Sequence, residues 1–149
     1  MLFAVLPVAE PLLRAAGWQA AADAIFGAYG WVCHQLPSRS WFLAGEPLAW
    51  CERNTAIYTT MAACGLLWPA VRRRVPRLSA AGFALLCLPM ALDGFTQLAA
   101  LRESTWELRT ITGTLFGAAC IWFGYPLLAR TAHFFRLLQV LRLPRLALA

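Results

Sequence analysis

Three apolar runs separated by short charged turns limit what this chain can fold into. Residues 54–71, 79–100 and 110–129 are each close to the length that crosses a bilayer as a helix. At 1.5 Å of rise per residue, about 20 helical residues cover a hydrocarbon core of roughly 30 Å. Of the 149 residues, 60% are hydrophobic and 13% charged, against about 45–50% and 25% in soluble domains. The expected fold is therefore all-α and integral to the membrane, one domain built as a small bundle of three transmembrane helices with a fourth, N-terminal helix.

The segments between and around the runs set the rest. Residues 11–32 read as one helix, with Pro11 in its first turn and Arg14, Gln19 and Asp23 interrupting the apolar pattern. This helix either lies amphipathically at the interface or spans with Asp23 facing the bundle, since a charge at mid-bilayer costs about 2.5–3.5 kcal/mol. Residues 33–53 form a polar loop broken by Pro37 and Gly45-Glu46-Pro47. Residues 130–149, with Arg136, Arg142 and Arg145, are expected to lie as a basic amphipathic tail on an anionic leaflet. The apolar residues 1–8 have no basic residue before them and contain Pro7, so a cleaved signal is not expected.

Charge sets the orientation. The net charge of +6 comes from arginines that flank apolar runs, which excludes a nucleic-acid face and fits the positive-inside rule. The turn carrying Arg72, Arg73, Arg74 and Arg77 contains no acid and, with the tail, belongs on the cytoplasmic side of the cell membrane. The loop 33–53 then lies outside. Trp41, Trp50 and Trp106 would form the outer aromatic belt, and Trp68, Trp122 and Tyr125 the inner one.

That topology gathers the unusual polar residues at one level. Asn54 and Tyr58 share a face at the outer end of the first span, Asp93 and Gln97 one at the outer end of the second, and Arg109 and Thr112 one at the start of the third. Cys33, His34, Arg39, Cys51 and Arg53 lie in or beside the outer loop. Intramembrane ionisable groups point to function. Cys64, Cys87 and Cys120 fall within apolar runs and read as packing residues. Gly113-x-x-x-Gly117 reads as a close helix–helix contact, and Pro89 as a kink above Asp93.

The pattern Cys33-His34-Gln35-x-Pro37-x-Arg39-Ser40, Cys51-x-Arg53, Ile57-Tyr58, Asp93-Gly94-x-x-Gln97 and Arg109-x-x-Thr112-Gly113 resembles the prokaryotic membrane protein family called domain of unknown function 2085. The resemblance covers half to two-thirds of the chain and implies a small helical membrane protein. The family pattern carries Cys-x-Arg-Cys-x-Gly-Ile-Tyr, whereas this chain has Asn54 and Ala56 at the second cysteine and the glycine.

Three chemical states of the cysteines stay open: a Cys33–Cys51 disulfide in an oxidising compartment, a zinc site on Cys33, His34 and Cys51 with water as fourth ligand, or two free thiols. Three functions also stay open. The cap binds or acts on an anionic lipid headgroup, with His34 and Asp93 moving protons and Arg39, Arg53, Arg109, Tyr58, Gln97 and Thr112 binding it. Alternatively the chain is a non-enzymatic accessory subunit of a larger membrane complex, its cap a docking or structural surface. A transporter fits less well, because the inner halves of the spans carry almost no polar groups.

Overall fold

The computed structural model describes the backbone of residues 2–142 and the side chains of residues 2–132. Five helices and one hairpin follow in order: α1 (Leu2–Ala15), α2 (Gln19–Tyr29), a 3-10 turn (Pro37–Arg39), β1 (Ser40–Leu43), β2 (Glu46–Cys51), α3 (Glu52–Val71), α4 (Ala80–Leu98) and α5 (Trp106–Arg142). The fold is mostly helical, with a small sheet that the apolar periodicity gave no reason to expect.

The N-terminal region departs furthest from expectation. Instead of one helix over 11–32 there are two, neither long enough to span. Gly17 makes the break: at φ +87 it leaves the helix in the left-handed region. The Trp18 amide then bonds the Leu13 carbonyl at 2.9 Å and the Gly17 amide the Arg14 carbonyl at 3.0 Å. This pairing closes a helix with glycine just past its end. Helix α1 begins at Leu2, so Pro7 and Pro11 both lie inside it. Both are buried, so packing offsets the lost backbone bonds. Asp23 does not face a bundle; it is 67% exposed and pairs with Arg14 at 3.0 Å.

The expected polar loop 33–53 is also more ordered than a loop. Ala44 and Gly45, at φ 54 and 84, form the two-residue turn of an antiparallel hairpin pairing Leu43 with Glu46 and Ser40 with Cys51. Two left-handed residues match the right-handed twist of flanking strands, which is why such turns join hairpins. The inward face of β2 carries Trp50, fully buried, stacked on Tyr58 with ring centroids 4.4 Å apart and edge-on to Tyr29 at 5.2 Å. Trp50 is therefore a core residue and not part of an interfacial belt.

Helix α5 is the spine, with α3 and α4 packed along it. Gly113 and Gly117 permit the α3–α5 contact: a Cβ on Gly117 would lie 2.5 Å from the Ile57 carbonyl oxygen, and one on Gly113 would lie 2.9 Å from that of Arg53. Small residues four apart let two backbones approach in this way. Helix α5 continues past Pro126 to Arg142 where the sequence suggested an end near Arg130. Residues 143–149 and the side chains from His133 onward, including the basic tail's Arg136, Arg142 and Arg145, lie outside the described residues.

Among the described residues, two helices are long and apolar enough to cross a membrane: Ala80–Leu98 and Trp106–Ala132. Only 6% of the apolar α4 window is buried in the protein. Leu85, Leu88, Leu92 and Phe95 instead form an exposed stripe along α4. A helix this apolar and this uncovered needs lipid as its solvent. Helix α3 has a matching 20 residues but a more polar composition, and falls short of that criterion.

Candidate functional site

Adjacent residues at the N-terminus of α3 tie the other helices to the hairpin. Glu52 lies in the first turn of α3, where a carboxylate is favoured by the helix dipole. Its Oε2 accepts from Arg109 Nη1 of α5 at 2.8 Å. The pair is buried, with side chains 10% and 8% exposed. A second donor of Arg109, Nη2, reaches the Ser104 carbonyl. The next residue, Arg53, reaches α4: its Nη2 donates to Asp93 Oδ2 and, at 3.2 Å, to Gln97 Oε1.

Asp93 is the centre of this cap. Its side chain is 2% exposed, and its other oxygen, Oδ1, accepts from Arg102 Nη2 at 2.7 Å. Arg102 also donates from Nε to the Thr96 hydroxyl at 3.1 Å. Two guanidiniums thus converge on one buried carboxylate. Arg39 closes the outside, donating to both oxygens of Glu103 at 3.1 and 2.9 Å. Glu103 is 78% exposed and lies 4.0 Å from Arg109. Taken together, Arg39, Arg53, Arg102 and Arg109 face Glu52, Asp93 and Glu103, which leaves one positive charge over. Three buried donors of the cap have no acceptor among the described residues: Arg53 Nε, Gln97 Nε2 and Arg109 Nε. Buried donors without partners are costly and mark places where another group belongs.

Several residues expected at this site serve elsewhere. Tyr58 belongs to the aromatic core, stacked on Trp50. Thr112 is 1% exposed and spends its hydroxyl on the Leu108 carbonyl at 2.7 Å, so it offers nothing to a ligand. No hydrogen bond joins His34 to Asp93 among the described residues. His34 is exposed, and its Nδ1 accepts the Leu36 amide at 3.2 Å. Both Asp93 oxygens are occupied by arginines, so its geometry suits holding them and not taking a proton. Asn54 bonds the Val32 carbonyl at 3.3 Å.

Arg102, Glu52, Glu103 and Ser104 were not singled out from sequence. Counting charges would have found Glu52 and Glu103, since buried arginines need carboxylates close by. Glu10, 1% exposed and paired with Arg14 at 2.8 Å, was also missed.

The cysteines form a separate locus on the other side of Cys51-Glu52-Arg53. Cys33 and Cys51 are buried free thiols. The Cys51 amide donates to Cys33 Sγ at 3.1 Å. A hydrogen bond from the Cys51 thiol holds Cys33 down at about 5, against desolvation, helped by the Gln35 and Cys51 amides and by His34. The same bond and burial push Cys51 up. Gln35, at φ 48, fastens the intervening turn by donating to the Phe26 and Ala49 carbonyls at 2.7 and 3.0 Å. No three His, Cys, Asp or Glu side chains converge as a metal site among the described residues. The zinc arrangement on Cys33, His34 and Cys51 does not fit this geometry: the lone pair of the exposed imidazole accepts the Leu36 amide, and Cys33 Sγ accepts the Cys51 amide.

An apolar helical body under an ion-paired cap defines a small membrane protein. The chain belongs to the family described as "Predicted membrane protein (DUF2085)", whose model matches residues 33–123. It is 35% identical over 114 residues to an uncharacterized protein, MJ1492, of Methanocaldococcus jannaschii, covering 74% of this chain and 72% of that protein. It is also 35% identical over 88 residues to an uncharacterized protein of Methanothermobacter thermautotrophicus, covering 57% of this chain and 77% of that one. No solved structure is significantly similar to it.

Proposed function

We propose that the chain is a multi-pass membrane protein whose outer cap binds an anionic lipid headgroup. Helices α3, α4 and α5 are the three passes. The turn 72–77 and the C-terminal tail are cytoplasmic, and the hairpin with its ion pairs lies on the outer side. The arginines of the turn 72–77 support this orientation; the aromatic pairs Trp41–Trp106, edge-on at 6.4 Å beside the cap, and Trp68–Tyr125, at 6.0 Å beside the arginine turn, support the spans themselves.

One observation carries the binding role: Arg53 and Arg102 converge on a single carboxylate, next to the unpartnered donors Arg53 Nε and Gln97 Nε2. A phosphate supplies the acceptor oxygens that such forked donors match, and offsets the remaining positive charge. Asp93 is a positioning residue that orients the two arginines, and the role is binding without turnover.

The test is the lipid content of protein extracted gently and measured by native mass spectrometry. Wild type should retain phosphatidylglycerol in preference to phosphatidylcholine. Arg102→Ala removes a partly exposed donor and should weaken retention about tenfold or more, as expected for a charge-assisted hydrogen bond of about 1.5–3 kcal/mol. Competition by inorganic phosphate would show that the headgroup alone is recognised. Equal retention in wild type, Arg102→Ala and Arg53→Ala would refute the reading. The accessory-subunit reading draws on a different observation, the exposed Trp31, Trp41 and Phe42 around the cap. It predicts a stoichiometric co-purifying partner that is lost when these residues become serine.

A further inference from the structure

The thiol pair plays no part in the anion site, yet its construction is specific. Cys33 and Cys51 are separated by the whole hairpin, and still Cys33 Sγ lies against Cys51, accepting its backbone amide at 3.1 Å. We propose that Cys33 and Cys51 form a thiol–disulfide exchange centre that reduces an organic disulfide presented at the outer surface of the cap.

Three features of the geometry support this. First, the sulfurs are already neighbours on rigid supports: Cys33 follows the last turn of α2, and Cys51 is the N-cap of α3, next to the fully buried Trp50. Second, the two sulfurs are not equivalent. Cys33 Sγ accepts the Cys51 amide at 3.1 Å, and this environment favours its thiolate. Cys51, as buried as Cys33, keeps its proton. Third, Cys33 lies between residues that face outward: Trp31 is 92% exposed, Val32 and Leu36 are about half exposed, and His34 is exposed. A structural disulfide needs no such apolar rim.

The chemistry balances within the pair. The Cys33 thiolate attacks one sulfur of a disulfide R–S–S–R′, its S–S bond breaks, and R′–S⁻ leaves. Cys51 gives its proton to R′–S⁻, and its sulfur then attacks Cys33 Sγ in the mixed disulfide, expelling R–S⁻, which takes a proton from water. The substrate gains two electrons as two thiols, and Cys33–Cys51 loses them as one disulfide.

The experiment uses the full-length, reduced protein in detergent, with Cys64, Cys87 and Cys120 changed to Ala to remove background. With the aromatic disulfide DTNB as probe, this chain should release two thionitrobenzoate ions and carry no adduct by intact mass. Cys51→Ser should release one and retain a single adduct on Cys33. Cys33→Ser should react about tenfold or more slowly at pH 6, where an ordinary thiol is almost wholly protonated. Two stable adducts on the parent, or equal rates for the two serine variants, would overturn the proposal. Insulin and oxidised glutathione then serve as stoichiometric substrates. Reduction of insulin assigns a polypeptide disulfide, reduction of glutathione alone assigns a small one, and failure with both overturns the proposal. Should the variants not fold, a brief iodoacetamide pulse on wild type at pH 6 decides the matter. First labelling at Cys33 supports the proposal, and labelling of Cys51 first or of neither refutes it.

Discussion

Removing one partner of the Glu52–Arg109 pair tests whether the cap holds the helix ends together. The two side chains are 10% and 8% exposed and meet at 2.8 Å. Glu52→Gln leaves Arg109 charged and buried, and breaking a buried pair in this way costs about 3–5 kcal/mol. The lower end, about 3 kcal/mol, is expected here. Arg109 keeps the Ser104 carbonyl and has Glu103 at 4.0 Å, although Glu103 is mostly exposed and the contact is correspondingly weak. Arg109→Met strands Glu52 instead and should cost a similar amount. The double variant Glu52→Gln/Arg109→Met removes both charges, and replacing a buried pair in full costs less than stranding each member in turn. Its cost should fall well below the sum of the two singles, giving a coupling of about 2–3 kcal/mol in a double-mutant cycle. Reversible unfolding in mixed detergent micelles, followed by tryptophan fluorescence, measures all four. Single-variant costs below about 1 kcal/mol, or costs that simply add, would show that the pair is not the clasp between α3 and α5.

Two further outcomes follow from the packing and the thiols. Gly117→Ala places a methyl 2.5 Å from the Ile57 carbonyl oxygen, a backbone atom that cannot rotate away. It should cost about 1–3 kcal/mol, whereas Gly124→Ala, with nothing within 4 Å of its added carbon, should be neutral or slightly stabilising; equal effects in a thermal melt would refute the close α3–α5 approach. For the reduced protein, Cys33 is held at about 5 against an ordinary 9, so the unfolded chain binds more protons between those values. Stability should therefore rise with pH across that window, be lost as pH falls through about 5, and turn downward above 9, where Cys51 keeps a proton the unfolded chain releases. The difference in melting temperature between wild type and Cys33→Ser isolates this contribution from His34 and the carboxylates, and a pH-independent difference would refute it.

What could be read from sequence follows from which interactions are local. The apolar runs of α4 and α5 declare themselves because lipid is a uniform solvent and a helix in it needs only length and hydrophobicity. The Gly113–Gly117 contact was visible because two glycines at helical spacing have few other uses in an apolar run. The gathering of Arg53, Asp93, Gln97 and Arg109 followed from topology alone, since antiparallel neighbours with short turns bring alternate helix ends together. Partner choice did not follow. That Arg102 would share Asp93 with Arg53, and that Tyr58 would turn towards Trp50, depends on side-chain reach across three elements. The hairpin was missed although Ala44-Gly45 forms its turn, because Gly-Glu-Pro reads equally well as irregular loop. The α1–α2 break was missed although Gly17 marks it, because small residues on both sides continue the helical pattern.

The tripeptide Cys51-Glu52-Arg53 explains why α3, the least apolar of the three long helices, can keep its place. Its residues engage three different elements: Cys33 after α2, Arg109 on α5 and Asp93 on α4. With α3 as the third pass proposed above, a helix more polar than its neighbours gains less from lipid and leans more on its contacts with protein. Those contacts are polar at the cap and steric below it, where Gly113 and Gly117 admit its backbone to α5. Glu52 and Arg53 therefore cost nothing like isolated charges in a membrane, because each is paired where it enters the fold. The same pairing keeps Arg53 aimed at Asp93 while its Nε stays without an acceptor. Had the cap served only to anchor α3, the Glu52–Arg109 clasp would suffice. The second guanidinium on Asp93 adds positive charge and brings its own desolvation cost, and the anion we propose at the cap would offset both.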